Sequence, residues 1–173
     1  MFGRWVGLYV CALLLSGCVT GSGTDYAGLA KKLGAPTAGQ SRIVILQEKR
    51  SSLVSYCICG MKVDGADIGK VKIGTFIYAD RPAGAHVLTA DELLYAGQTK
   101  REIRTEAGRT YFFLIRSSKR HDAVNGSAFV GGLAGAAIAT VATSGDENPG
   151  PVDIFPLDDA AARTTLAELE LAD

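Results

Sequence analysis

A chain of 173 residues is long enough for one domain with a proper core. Its 18 basic residues are matched by 18 acidic ones, so it lacks the basic excess that a nucleic-acid surface needs. No run of Lys and Arg points to anionic lipid either.

The chain opens on MFGRWVGLYVCALLLSGC, where Arg4 is the one charge and Trp5 to Leu15 is apolar. That is the charged start and apolar middle of a secretory signal, and it is too short for the ~20 helical residues of a bilayer span. The run ends at Leu15-Ser16-Gly17-Cys18, which resembles the bacterial lipobox. The resemblance implies cleavage between Gly17 and Cys18, a diacylglycerol on the Cys18 sulfur and acylation of the new amino group. Several acyl chains on one residue hold a protein stably, where a single chain is marginal. Val19 stands where an aspartate would signal retention at the inner membrane, so the expected address is the outer membrane, facing the periplasm. Residues 1–17 are then a signal peptide and 18–41 a lipidated tether, flexible over Thr20 to Gly23. Within the tether, DYAGLAKKLG reads as a short helix stopped by Gly34 and Pro36.

From Arg42 the texture changes to strands. RIVILQ is an almost wholly apolar run, like a buried strand. LVSYCICGMKVDG, ADIGKVKIG, TFIYADRPAG, AHVLTADELLYAG, QTKREIRTEAG and RTYFFLIRSS follow, broken by turn chemistry. Asp64-Gly65 is a strong two-residue hairpin signal, and Pro82 to Gly84 fits a turn with proline at its first central position. Lys70 and Lys72 point opposite to Val71 and Ile73. Lys100, Glu102, Arg104 and Glu106 share a face opposite Ile103, as on a half-exposed strand. Tyr111 to Ile115 is apolar on both faces and is expected in the middle of a sheet. About seven strands over residues 42–120 predict an antiparallel β-sandwich, immunoglobulin- or transthyretin-like.

Cys57 and Cys59 fall on one apolar face with Met61 and Val63. Neighbours at i and i+2 on a strand lie roughly 6.5–7 Å apart, whereas a disulfide wants β-carbons about 3.5–4.5 Å apart. The spacing favours buried free thiols. A strained or intermolecular disulfide and a metal site stay open as alternatives, although His86 and His121 have no ligand spacing. His86 follows a turn and begins a strand, where a hydrogen-bonded structural role is expected.

MKVDGADIGKVKIGTFIYADRPAGAHVLTA and the later AGRTYFFLIR resemble the prokaryotic lipoproteins catalogued as domain of unknown function 2846. Their pattern is an extended strand, a DG turn, a strand opening Gly-x-Tyr/Phe, a Pro-Gly-x-His turn and a final aromatic strand. Here Pro82-Ala83-Gly84-Ala85 precedes His86, one residue longer than usual. The resemblance covers residues 42–117 and implies an envelope lipoprotein with a small sandwich domain. It brings no reaction with it.

Residues 121–147 form a second unusual segment, without a charge between Asp122 and Asp146. Ser127, Gly131, Gly135, Ala139 and Thr143 make a ladder of small residues at a step of four, which lies on one face of a helix. Such rows let helix backbones approach closely and are frequent in membrane helix pairs. The ladder is therefore a candidate element for membrane insertion or association. Against it, Ala128 to Ala142 is shorter than the ~20 residues of a span, and its glycines each weaken a helix in water by roughly 1 kcal/mol. A soluble packed helix and a flexible Gly/Ala segment remain alternatives. In residues 148–173, VDIFPL reads as a returning strand and DDAAARTTLAELELAD as a helix. Asp158 or Asp159 would cap it, and Ala162, Leu166 and Leu169 would line its buried face.

No Gly-x-Ser-x-Gly elbow, His-Glu-x-x-His, Cys-x-x-Cys or phosphate loop is present. Asp91-Glu92 and Asp158-Asp159 read as solvated or capping carboxylates. The expected protein is non-enzymatic and without cofactor. It is held to the membrane through lipidated Cys18 and binds another envelope component through its sandwich. Self-assembly through the glycine-zipper helix is the alternative, and a small-ligand or metal binder using the cysteine pair is a further one.

Overall fold

The computed structural model describes residues 23–49, 57–143, 145 and 147–173. Gly17 and Cys18, the expected cleavage and lipid-attachment residues, lie outside the described residues. The elements in chain order are α1 (Tyr26–Leu33), β1 (Gln40–Gln47), β2 (Cys59–Val63), β3 (Ala66–Val71), β4 (Thr75–Pro82), β5 (Gly84–Glu92), β6 (Thr99–Thr105), β7 (Thr110–Ser117), α2 (Lys119–Ala142), β8 (Val152–Leu157), α3 (Asp159–Leu166) and β9 (Glu170–Leu171). They build a five-stranded sheet, ordered β8-β7-β1-β4-β9, and a four-stranded sheet, ordered β3-β2-β5-β6.

The two sheets share one core. Ile43, Ile45, Ile77, Phe113 and Ile115 from the first sheet meet Met61, Val63, Val71 and Leu88 from the second. Side chains alternate along a strand, so the other face of the first sheet carries Val44, Leu46, Phe76, Phe112 and Leu114. Tyr26 and Leu29 of α1 and Ala162 and Leu166 of α3 cover that face. β1 is thus buried on both sides, which is why RIVILQ has almost no polar residue. Tyr111 to Ile115 does lie inside the sheet, between β1 and β8. The four-stranded sheet has no helix over its outer face among the clusters described.

The mainly β, two-sheet architecture matches expectation, with three differences. First, the pairing is mixed: β1 runs parallel to β7, and β4 parallel to β9. The intervening excursion into the second sheet brings β7 back beside β1 in the same direction, as a crossover allows. Second, the terminal helix stops at Leu166, because Glu170 and Leu171 pair with Thr75 and Phe76. Its cap is Asp158, whose carboxylate accepts from the Ala161 N–H at 2.8 Å, and Ala162, Leu166 and Leu169 are all buried as predicted. Third, Cys57 and Cys59 are joined as a disulfide, which corrects the reading as free thiols. The extended spacing assumed there does not apply, since Cys57 precedes β2 and the two α-carbons are only 5.3 Å apart.

Candidate membrane and partner surfaces

α2 begins on a polar clamp. Ser118 caps it: its hydroxyl accepts from the His121 N–H at 3.1 Å and donates to the Gly150 carbonyl at 2.7 Å. His121 is fully buried and donates from Nε2 to a Glu92 carboxylate oxygen at 2.7 Å. Glu92 is therefore the hydrogen-bond partner of a buried histidine rather than the solvated carboxylate that the sequence suggested. Arg120 donates to the Ala96 and Pro149 carbonyls at 2.6 and 2.5 Å and lies over the Tyr95 ring. Burial pushes the Tyr95 hydroxyl up, against the pull of that guanidinium. The clamp ties the β5–β6 loop, the start of α2 and the approach to β8 into one base.

Above the base α2 is not one rod. Gly132 sits at φ 59° and ψ −150°, a backbone that only glycine adopts readily. A side chain added at Gly135 would overlap the Ser127 carbonyl. In a continuous helix residues eight apart are about 12 Å apart, so the two arms are folded against each other. The groove between them is lined by Gly126, Ser127 and Gly131 from one arm and by Gly135, Ala139 and Thr143 from the other. The expected ladder on one helix face is thus divided at Gly132, and its small residues face each other within a single hairpin. The sequence count missed this because a step of four presumes an unbroken helix.

Val130 and Ile138 also line that groove, while Phe129, Leu133 and Val141 stand outside its lining. Phe129, Val130, Leu133, Ile138 and Val141 are all exposed, Phe129 and Leu133 at 91 and 92 %. Removing each from water is worth about 1.5–3 kcal/mol. By length and composition Lys119–Ala142 could cross a membrane. Its connections do not permit a single crossing, because Ser117 and Val152 are partners in adjacent antiparallel strands and the Ser118 N–H donates to the Pro151 carbonyl at 3.0 Å. The segment leaves and re-enters the sandwich at one place.

A second surface is the outer face of the four-stranded sheet. Asp64 at φ 53° and Gly65 at φ 81° make the expected two-residue turn. The Asp64 carboxylate accepts from the Val87 N–H at 2.8 Å and from His86 Nδ1 at 2.6 Å. His86 Nε2 donates to the Pro82 carbonyl at 2.8 Å. His86 is thus the buried, structural histidine expected, and its bond holds the Asp64 carboxyl below the usual carboxylate range. Around it the face alternates: Val87, Lys100, Glu102 and Arg104 stand exposed, and Lys62 pairs with Asp91 at 2.6 Å. Among the described residues no group of three or more His, Cys, Asp and Glu could hold a metal ion.

A family model described as a protein of unknown function (DUF2846) matches residues 37–132. The chain belongs to that family. The DUF2846 match runs from just before β1 to the glycine at which α2 turns, so it takes in both sheets' main strands and the first arm of the hairpin. A search of curated proteins gives no match.

Proposed function

We propose that this DUF2846 protein is a non-enzymatic, lipid-anchored protein of the bacterial cell envelope, attached through Cys18 and facing the periplasm. Its sandwich binds another envelope component. The observation that carries the reading is the asymmetry of the sandwich. Helices α1 and α3 bury one outer face, while the other offers Val87 amid exposed charges of both signs. A bare, rigid, mixed-charge sheet face suits a folded protein partner better than a small substrate, because charges of both signs set register and orientation.

Two measurements on the full chain in cells test it. Radiolabelled palmitate is expected to be incorporated, and Cys18→Ser is expected to abolish the label. A photo-crosslinking residue at Val87 is expected to give a discrete protein adduct that the same residue at exposed Ala160, on α3, does not give. Label retained by Cys18→Ser defeats the anchor. Absence of a discrete adduct at Val87, or identical adducts at Ala160, defeats the partner face.

A further inference from the structure

We propose that the α2 hairpin inserts into one leaflet of a lipid bilayer, tip first, and does not cross it. Three observations combine. The first is the return: the hairpin leaves from β7 and re-enters at β8 at paired residues Ser117 and Val152, so whatever enters the membrane comes back on the same side. The second is length. At 1.5 Å per residue the arms before and after Gly132 are about 20 and 15 Å long, close to half of the ~30 Å hydrocarbon core.

The third is the charge distribution. Lys119, Arg120, His121 and Asp122 stand at the base of one arm and Glu147 beyond the other, while no charge occurs between Asp122 and Asp146. Charge ends where the hydrocarbon would begin. An interfacial helix that lies flat needs a polar face opposite its apolar one. The hairpin has none: its groove is lined by small residues together with Val130 and Ile138, and Phe129, Leu133 and Val141 stand exposed outside that lining. Apolar all round, it suits immersion rather than a surface lie. The small-residue seam gives the arms close contact without a hydrophobic driving force, as in membrane helix pairs. Gly132 supplies the reversal at the tip.

Trp5 is the one tryptophan of the chain, so the full-length, unlipidated Cys18→Ser chain with Trp5→Phe/Phe129→Trp carries a single reporter near the tip. The probe is a vesicle of phosphatidylethanolamine and phosphatidylglycerol, with bromine near the headgroup, at mid-chain or at the chain end. The expected result is a blue shift on mixing and severalfold stronger quenching by mid-chain or chain-end bromine than by headgroup bromine. Ile138→Trp in the same background is expected to be quenched from a shallower position. Adding Leu133→Arg to the Phe129→Trp chain is expected to remove the quenching while circular dichroism is unchanged. Emission that stays water-like with vesicles overturns the proposal. Strongest quenching by headgroup bromine overturns the tip-first insertion. A blue shift that depends on protein concentration without lipid overturns it in favour of a second copy covering the hairpin. None of these outcomes depends on Cys18 or on the Val87 face, so the two proposals stand or fall separately.

Discussion

Helices α3 and α2 flank the same strand, β8, and they treat their apolar residues in opposite ways. In α3, Ala162 and Leu166 turn to the sheet and are buried, while Asp159 and Arg163 face water and pair at 3.1 Å. In α2, beyond its first turns, Phe129 and Leu133 are almost fully exposed and no charged residue accompanies them. An amphipathic helix states which side of it is core. A helix without a polar side states instead that its surroundings are not water. The contrast separates the part of the chain that builds the sandwich from the part the sandwich presents.

The largest expected effect is the loss of an α3 anchor. Leu166 is 1 % exposed and packs with Tyr26, Phe76 and Leu169. Leu166→Ala is expected to cost about 2–5 kcal/mol, the loss of a buried leucine plus the cavity left behind. Leu133→Ala removes the same atoms from an almost fully exposed site, and should change stability by no more than about 0.5 kcal/mol. Urea unfolding of both variants in vesicle-free buffer measures the pair. Equal losses would mean that the hairpin packs on the sandwich in solution, and the contrast drawn between the helices would collapse.

Much of the sandwich was legible because its signals are local. Asp64-Gly65 names its own turn, and the all-apolar RIVILQ names a strand buried on both faces. Asp158 and the 162, 166, 169 spacing name the cap and inner face of α3. What failed was non-local or conformational. The pairing of Glu92 with His121 joins residues 29 apart, and neither flanking sequence mentions the other. β9 is two residues long, and only its partners Thr75 and Phe76 make it a strand. The Cys57–Cys59 bond escapes the sequence because regular strand spacing does not reach Cys57, two residues before β2 begins. The hairpin was hidden by Gly131-Gly132: the pair reads equally as small residues in a zipper or as a reversal, and the choice depends on whether the arms have something to pack against.

A smaller effect tests that reversal. Gly135→Leu places a side chain where the Ser127 carbonyl lies, whereas an added carbon at Gly131 meets no atom within 4 Å. Overpacking of this kind costs about 1–3 kcal/mol, and here the arms can separate instead of the sandwich unfolding. Amide hydrogen exchange is therefore expected to rise over residues 123–143 in Gly135→Leu, with β1 and β7 unchanged. Gly131→Leu is expected to leave exchange alone. If the two variants behave alike and alter only self-association, the ladder works between molecules and the hairpin is not its use.

The smallest expected effect belongs to the bare face, and its sign follows from Asp64. Bonds from His86 and from the Val87 N–H hold the folded carboxyl below its ordinary value. A carboxyl lowered by folding contributes stability above its unfolded pKa of about 3.9, and that contribution is lost as the pH falls through the lower folded value. Asn tolerates the left-handed backbone at this position, so Asp64→Asn removes the charge and keeps the turn. The variant is expected to be less stable than the parent at neutral pH by under about 1 kcal/mol, since Asp64 is 46 % exposed and solvent screens the pair. The gap should narrow on acidification below about pH 4 and close once the parent carboxyl is protonated. Urea midpoints across that range measure it. A gap that stays constant with pH would show that Asp64 acts through its backbone bonds to Val87 alone. The bare sheet face would then owe its order to the turn and not to the charge, leaving His86 to be held by the Pro82 carbonyl.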